Sequence, residues 1–140
     1  MRIKSLALAA ASMTALAASI VIGPSAQAAA APTCTGYANT PAYSSPSVTA
    51  YGGATCTGSV YELEVWVSLK RDGSFVGDIG LCNRNNTTSC AANTSSNNIS
   101  GNQVWCSYVE TSYRVTPTAD VRYASDVQKC ESSSWIAKPK

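Results

Sequence analysis

The chain has 140 residues, 45% of them hydrophobic, with ten Lys and Arg against eight Asp and Glu and no His. That length suits one domain of ordinary size. It leaves no room for a large multidomain enzyme, and the missing imidazole excludes Ser-His and Cys-His nucleophile schemes.

Residues 1–28 read as a secretory signal peptide. Arg2 and Lys4 form a short positive region, and an apolar stretch runs from Leu6 to Ile22. Gly23 and Pro24 then break it, and Ala26-Gln27-Ala28 supplies a small-x-small cleavage signal. A membrane span needs roughly 20 apolar residues, more than this stretch provides. Ile3 follows Arg2, so there is no twin-arginine signal, and Thr33 before Cys34 does not suit a lipoprotein box. The expectation is export with cleavage near Ala28, leaving residues 29–140 as a single secreted β-domain. This remainder has eight Lys and Arg against eight Asp and Glu, so its net charge is zero. Neither a nucleic-acid partner nor membrane insertion of the mature chain is expected from a neutral chain without a basic amphipathic stretch.

Cys34 to Tyr37 and Ser47 to Tyr51 read as short strands between Pro- and Gly-rich turns. The first clear strand is Ser59 to Leu69. Tyr61, Leu63, Val65, Val67 and Leu69 alternate on one face, and Val60, Glu62, Glu64, Trp66 and Ser68 take the other. Asp72-Gly73 signals a hairpin turn into a partner strand from Phe75 to Cys82. Phe75, Ile79 and Leu81 share a face there, and Gly77 and Gly80 mark a bend or bulge.

Asn83 to Asn102 reads as a long polar loop, since fourteen of its twenty residues are Ser, Thr or Asn. A second long strand spans Gln103 to Thr116. Val104, Cys106 and Tyr108 point one way, and Trp105, Val109, Tyr113 and Val115 the other. Pro117 ends it, and Ala119 to Val127 supplies a last strand. No segment reads as a helix. The class expected is all-β: an antiparallel β-sandwich or small barrel, stapled by up to three disulfides.

The staples are Cys34, Cys56, Cys82, Cys90, Cys106 and Cys130, an even set in an exported chain. No C-x-x-C pair and no His is present to build a zinc site, so no metal and no cofactor are expected. Six cysteines permit many pairings. Cys82 and Cys90 bracket the start of the polar stretch, and joining them leaves Cys34–Cys56 and Cys106–Cys130 as the natural remainder. Leu, Ile, Val and Phe are scarce in the mature chain, so disulfides carry much of the stability.

Catalytic chemistry has one lead. Glu62 and Glu64 share a strand face, as a glycosidase-like pair requires, and Trp66 continues that face as a sugar-stacking ring. Simple alternation on a half-exposed strand explains the same residues, and Trp66 and Trp105 read as core. Tyr37, Tyr43, Tyr51 and Trp135 lie in poorly patterned regions, where aromatic side chains suit recognition.

The Ala-rich leader, the absent His and the run from Cys56 through Ser59-Val60-Tyr61-Glu62 to Asp72-Gly73 resemble small secreted proteins common in actinobacteria. The resemblance implies an immunoglobulin-like sandwich and no particular activity. Val104, two residues before Cys106, stands where an immunoglobulin domain carries Tyr. The reading overall is a secreted, non-enzymatic binding protein acting as an inhibitor, adaptor or extracellular interaction module. An extracellular protein is the expected partner and glycan the second class. Asn83, Arg84, Asn85, Asn86, Asn93, Asn97, Asn98 and Asn102 form the expected binding loop, because loops on rigid scaffolds carry recognition. The alternative is a small glycan-acting hydrolase or lectin using Glu62, Glu64 and Trp66.

Overall fold

A computed structural model describes residues 28–131. The proposed signal peptide, apart from Ala28, and Trp135 lie outside them. The described residues form seven strands and no helix: β1 (Cys34–Ala38), β2 (Ala42–Ser44), β3 (Ser47–Arg71), β4 (Ser74–Asn97), β5 (Trp105–Arg114), β6 (Arg122–Tyr123) and β7 (Val127–Cys130). They make one antiparallel sheet. β1, β3, β5 and β6 lie in that order, while β2 and β4 also pair with β3 and β7 with β5.

β3 and β4 form one long hairpin. Its two-residue turn is Asp72-Gly73, with φ of 50° and 84°, the left-handed pair that a tight hairpin requires. Asp72 is tied to the chain before β5: its Oδ1 accepts from the Val104 amide at 2.8 Å, and its own amide donates to the Val104 carbonyl at 2.9 Å.

The hairpin folds back on itself. Pairing skips from Thr55–Ser89 to Val60–Thr87, so four β3 residues oppose Thr88 alone. Such a surplus on one strand bends the ribbon. A second irregularity sets Ser68 against Gly77, Asp78 and Ile79, the bulge expected at Gly77 and Gly80. The two halves of β4 then pack against each other. Thr94 Oγ1 donates to the Asp78 carbonyl, and a Cβ on Gly80 would strike the Asn93 backbone. On the other side β1 lies against β5 and β7.

The core fills the inside of this curl. Leu63, Val65, Val67 and Leu69 are fully buried, as their alternation requires, and Val48, Ala50 and Ala54 face them from the first half of β3. β5 adds Trp105, Val109 and Tyr113. All three cysteine pairs form as spacing suggests: Cys34–Cys56, Cys82–Cys90 and Cys106–Cys130. Cys34 and Cys56 sit directly opposite on β1 and β3, and Cys106 and Cys130 on β5 and β7, each with Cα atoms 4.0 Å apart.

Three expectations need correction. Ser47–Tyr51 and Ser59–Leu69 are one strand, because Gly52 to Thr55 pair with both β1 and β4 and the chain stays extended through Gly58. Asn83–Asn97 is strand and not loop. Its Ser, Thr and Asn side chains report exposure, while its backbone finds partners along β3, so tertiary pairing overrides local preference. Of the expected loop, only Asn98 to Asn102 lies outside regular strand. The last expected strand is broken into β6 and β7, which pair with successive parts of β5.

Candidate functional site

The outer face of the second half of the sheet is the most distinctive surface. Leu63, Val65 and Val67 point inward, so Glu62, Glu64 and Trp66 point outward. Register supplies their neighbours. Glu62 lies between Asn85 and Arg114, Glu64 between Asn83 and Ser112, and Trp66 between Leu81 and Glu110. Tyr123 of β6 stands opposite Ser112 and extends the face.

This face is unusually apolar for an exposed surface. Phe75, Ile79 and Leu81 share it as the alternation indicates, but they are 61%, 63% and 57% exposed. Tyr123 is 78% exposed. Trp66 is half-buried on this face, which corrects its expected place in the core; Trp105 is fully buried. These apolar residues of β4 lie outside, while the inner positions are filled from β5 and from both halves of β3.

Trp66 and Tyr123 together line two adjoining cavities. One, of about 160 Å³, is completed by Glu62, Glu64, Ser112, Tyr113, Arg114 and Val121. The other, of about 380 Å³, is completed by Ile79, Glu110, Thr111 and Asp126. Arg114 Nε lies 3.4 Å from Glu62 Oε2. Tyr108 donates its hydroxyl to Asp126 Oδ2 at 2.6 Å. That hydrogen bond, reinforced by burial and by the charges of Asp126 and Glu110, pushes the Tyr108 phenol up to about 12.

At the hairpin end, Lys70 Nζ sits 4.0 Å from the Tyr108 ring centroid and 4.6 Å from that of Phe75. The two rings meet edge to face at 5.5 Å. Lys70 also donates to Gln128 Oε1 at 3.2 Å.

The eight expected loop residues do not form one surface. Asn83 and Asn85 join the outer face beside Glu64 and Glu62. Arg84 pairs in register with inward-facing Leu63 and lines a separate cavity with Tyr37, Ser89, Cys90 and Ala91. Asn86, at φ 50°, lies at the bend. Asn93 and Asn97 sit on the far half of β4, opposite Tyr51 and Ser47, and Asn98 and Asn102 follow the strand. Tyr37 and Tyr51 are partly exposed, while Tyr43 packs on the core. Sequence reasoning missed Ile79, Leu81, Glu110 and Tyr123. The signal was an edge strand with three large apolar residues on one face when the core was already supplied. Among the described residues no group of three or more Cys, Asp or Glu is placed to hold a metal ion.

Comparison of the chain with protein-family models, with curated proteins and with solved structures finds no match. The geometry alone therefore defines the class: an all-β domain of one curled antiparallel sheet, held by three disulfides. Such bonds belong to an oxidising compartment. No described helix is long and apolar enough to cross a membrane.

Proposed function

We propose that the protein is a secreted, non-enzymatic binding protein whose contact surface is the outer sheet face around Trp66 and Tyr123. In this reading the leader exports the chain, and the curled sheet serves as an immunoglobulin-like sandwich, a rigid scaffold presenting one face to an extracellular protein. The observation that carries the proposal is the cluster of exposed Tyr123, Ile79, Leu81 and Phe75 beside half-buried Trp66. Contiguous exposed apolar surface rimmed by polar groups marks interaction sites. Aromatic anchors also dominate binding energy at interfaces.

The same face keeps the glycan reading in view, since Trp66 is a half-buried ring that lines a cavity with Glu62 and Glu64. Binding is favoured over hydrolysis for two reasons. Arg114 Nε pairs with Glu62 Oε2 at 3.4 Å, so the carboxylate that would have to face a glycosidic bond is already engaged by a neighbouring strand. Glu62 and Glu64 also project from one strand onto an open face, not from two walls of a cleft.

Affinity capture from culture supernatant with the mature protein tests the proposal. A partner retained by the unaltered protein and lost by Trp66→Ala with Tyr123→Ala is expected. Equal retention by both proteins would overturn the proposed surface. Glycan turnover abolished by Glu62→Gln would overturn the non-enzymatic reading.

A further inference from the structure

Two places on the outer face carry two aromatic side chains each, and their electrostatic settings differ. The first, Phe75 with Tyr108, is filled by the chain's own Lys70, whose ammonium lies 4.6 and 4.0 Å from the two ring centroids. The second, Trp66 with Tyr123, opens onto a cavity of about 380 Å³ that also contains Glu110 and Asp126. Among the described residues the recorded ion pair on this face is Arg114 with Glu62. Arg122 adjoins Tyr123 but pairs in register with inward-facing Tyr113, so alternation sends its side chain to the opposite face.

We infer that the Trp66–Tyr123 cavity receives a lysine or arginine side chain from a basic segment of an extracellular protein partner. This inference rests on the surface proposed above and names what it recognises. A cation over an aromatic face is attracted by the ring quadrupole, most strongly for Trp. Glu110 and Asp126 at the same cavity add charge complementarity, and Glu64 lies on the adjoining one. The aliphatic stem of the incoming residue finds exposed Ile79 and Leu81. Lys70, on the same strand β3 as Trp66, shows the same recognition made within the chain, between Phe75 of β4 and Tyr108 of β5. Asp126 serves both places, since it accepts the Tyr108 hydroxyl while lining the open cavity.

The test uses the mature protein and two capped peptides, Gly-Arg-Gly-Lys-Gly-Arg and the same peptide with Gln at each basic position. The readout is the Trp66 indole N–H resonance, assigned with Trp66→Phe. The basic peptide is expected to shift it, with affinity falling about tenfold in Glu110→Gln, the scale of a favourable cation–π or charge contact. Tyr123→Ala should weaken it at least as much. Both positions are exposed, so neither substitution disturbs the core. An equal shift by the Gln peptide, or unchanged affinity in Glu110→Gln, overturns the inference. A chito-oligosaccharide that shifts Trp66 where the basic peptide does not overturns it too, while sparing the surface. If neither ligand shifts Trp66 but partner capture still needs Trp66 and Tyr123, the cationic inference alone falls.

Discussion

Cys82 and Cys90 belong to one continuous strand, eight residues apart, yet their Cα atoms are 5.9 Å apart. A straight strand would separate them by about 26 Å at its usual rise. The bond therefore spans the bend of β4 and clamps the two halves of the curled sheet together. The other two disulfides join directly opposed residues of neighbouring strands.

Replacing Cys82 and Cys90 by Ser should cost about 2–3 kcal/mol, from the loop-closure entropy of a short loop. Urea unfolding followed by tryptophan fluorescence measures this. Reduction of all three bonds should remove the near-ultraviolet circular dichroism, because so few aliphatic side chains fill the core. A spectrum unchanged after full reduction would contradict that account.

The two strand tryptophans should respond oppositely to truncation. Trp105 is fully buried, so Trp105→Ala should lose about 3–5 kcal/mol and leave a poorly populated fold. Trp66 stands half-exposed on the outer face, so Trp66→Ala should cost much less stability while removing partner binding. Similar melting losses for the two variants would place Trp66 in the core after all.

Tyr108 supplies a pH signature. Its phenol pKa is raised to about 12 from 10.0, first by the hydrogen bond to Asp126. A raised folded pKa means that the folded protein holds the proton more tightly than the unfolded chain. The associated stability is complete below pH 10 and is lost as pH rises towards 12. Tyrosinate absorbance should show a late phase in the native protein, and Asp126→Asn should move that phase to lower pH. A late phase that persists in Asp126→Asn would assign it to another group.

Much of the strand pattern was legible because period-2 alternation is a local property. Leu63, Val65, Val67 and Leu69 announced a buried face, and Trp105, Val109 and Tyr113 announced another. The hairpin at Asp72-Gly73 was legible for the same reason, since its left-handed backbone favours these residues. The strand identity of Asn83 to Asn97 was not. Polar side chains at an exposed edge carry no periodic signal, and the hydrogen bonds that extend this segment come from β3, far away in sequence.

The site divides in the same manner. Glu62, Glu64 and Trp66 shared a face on alternation alone, and the cysteine spacing pointed to the pairing that forms. Glu110, Tyr123, Ile79 and Leu81 join them through strand register, which depends on which strands become neighbours. Composition and periodicity thus established the all-β class, the staples and the inward faces, because each follows from residues close along the chain. The back-folding of β3 and β4, and the aromatic, acidic surface it leaves outside, arise from contacts between residues distant along the chain. Their energies are absent from any local window.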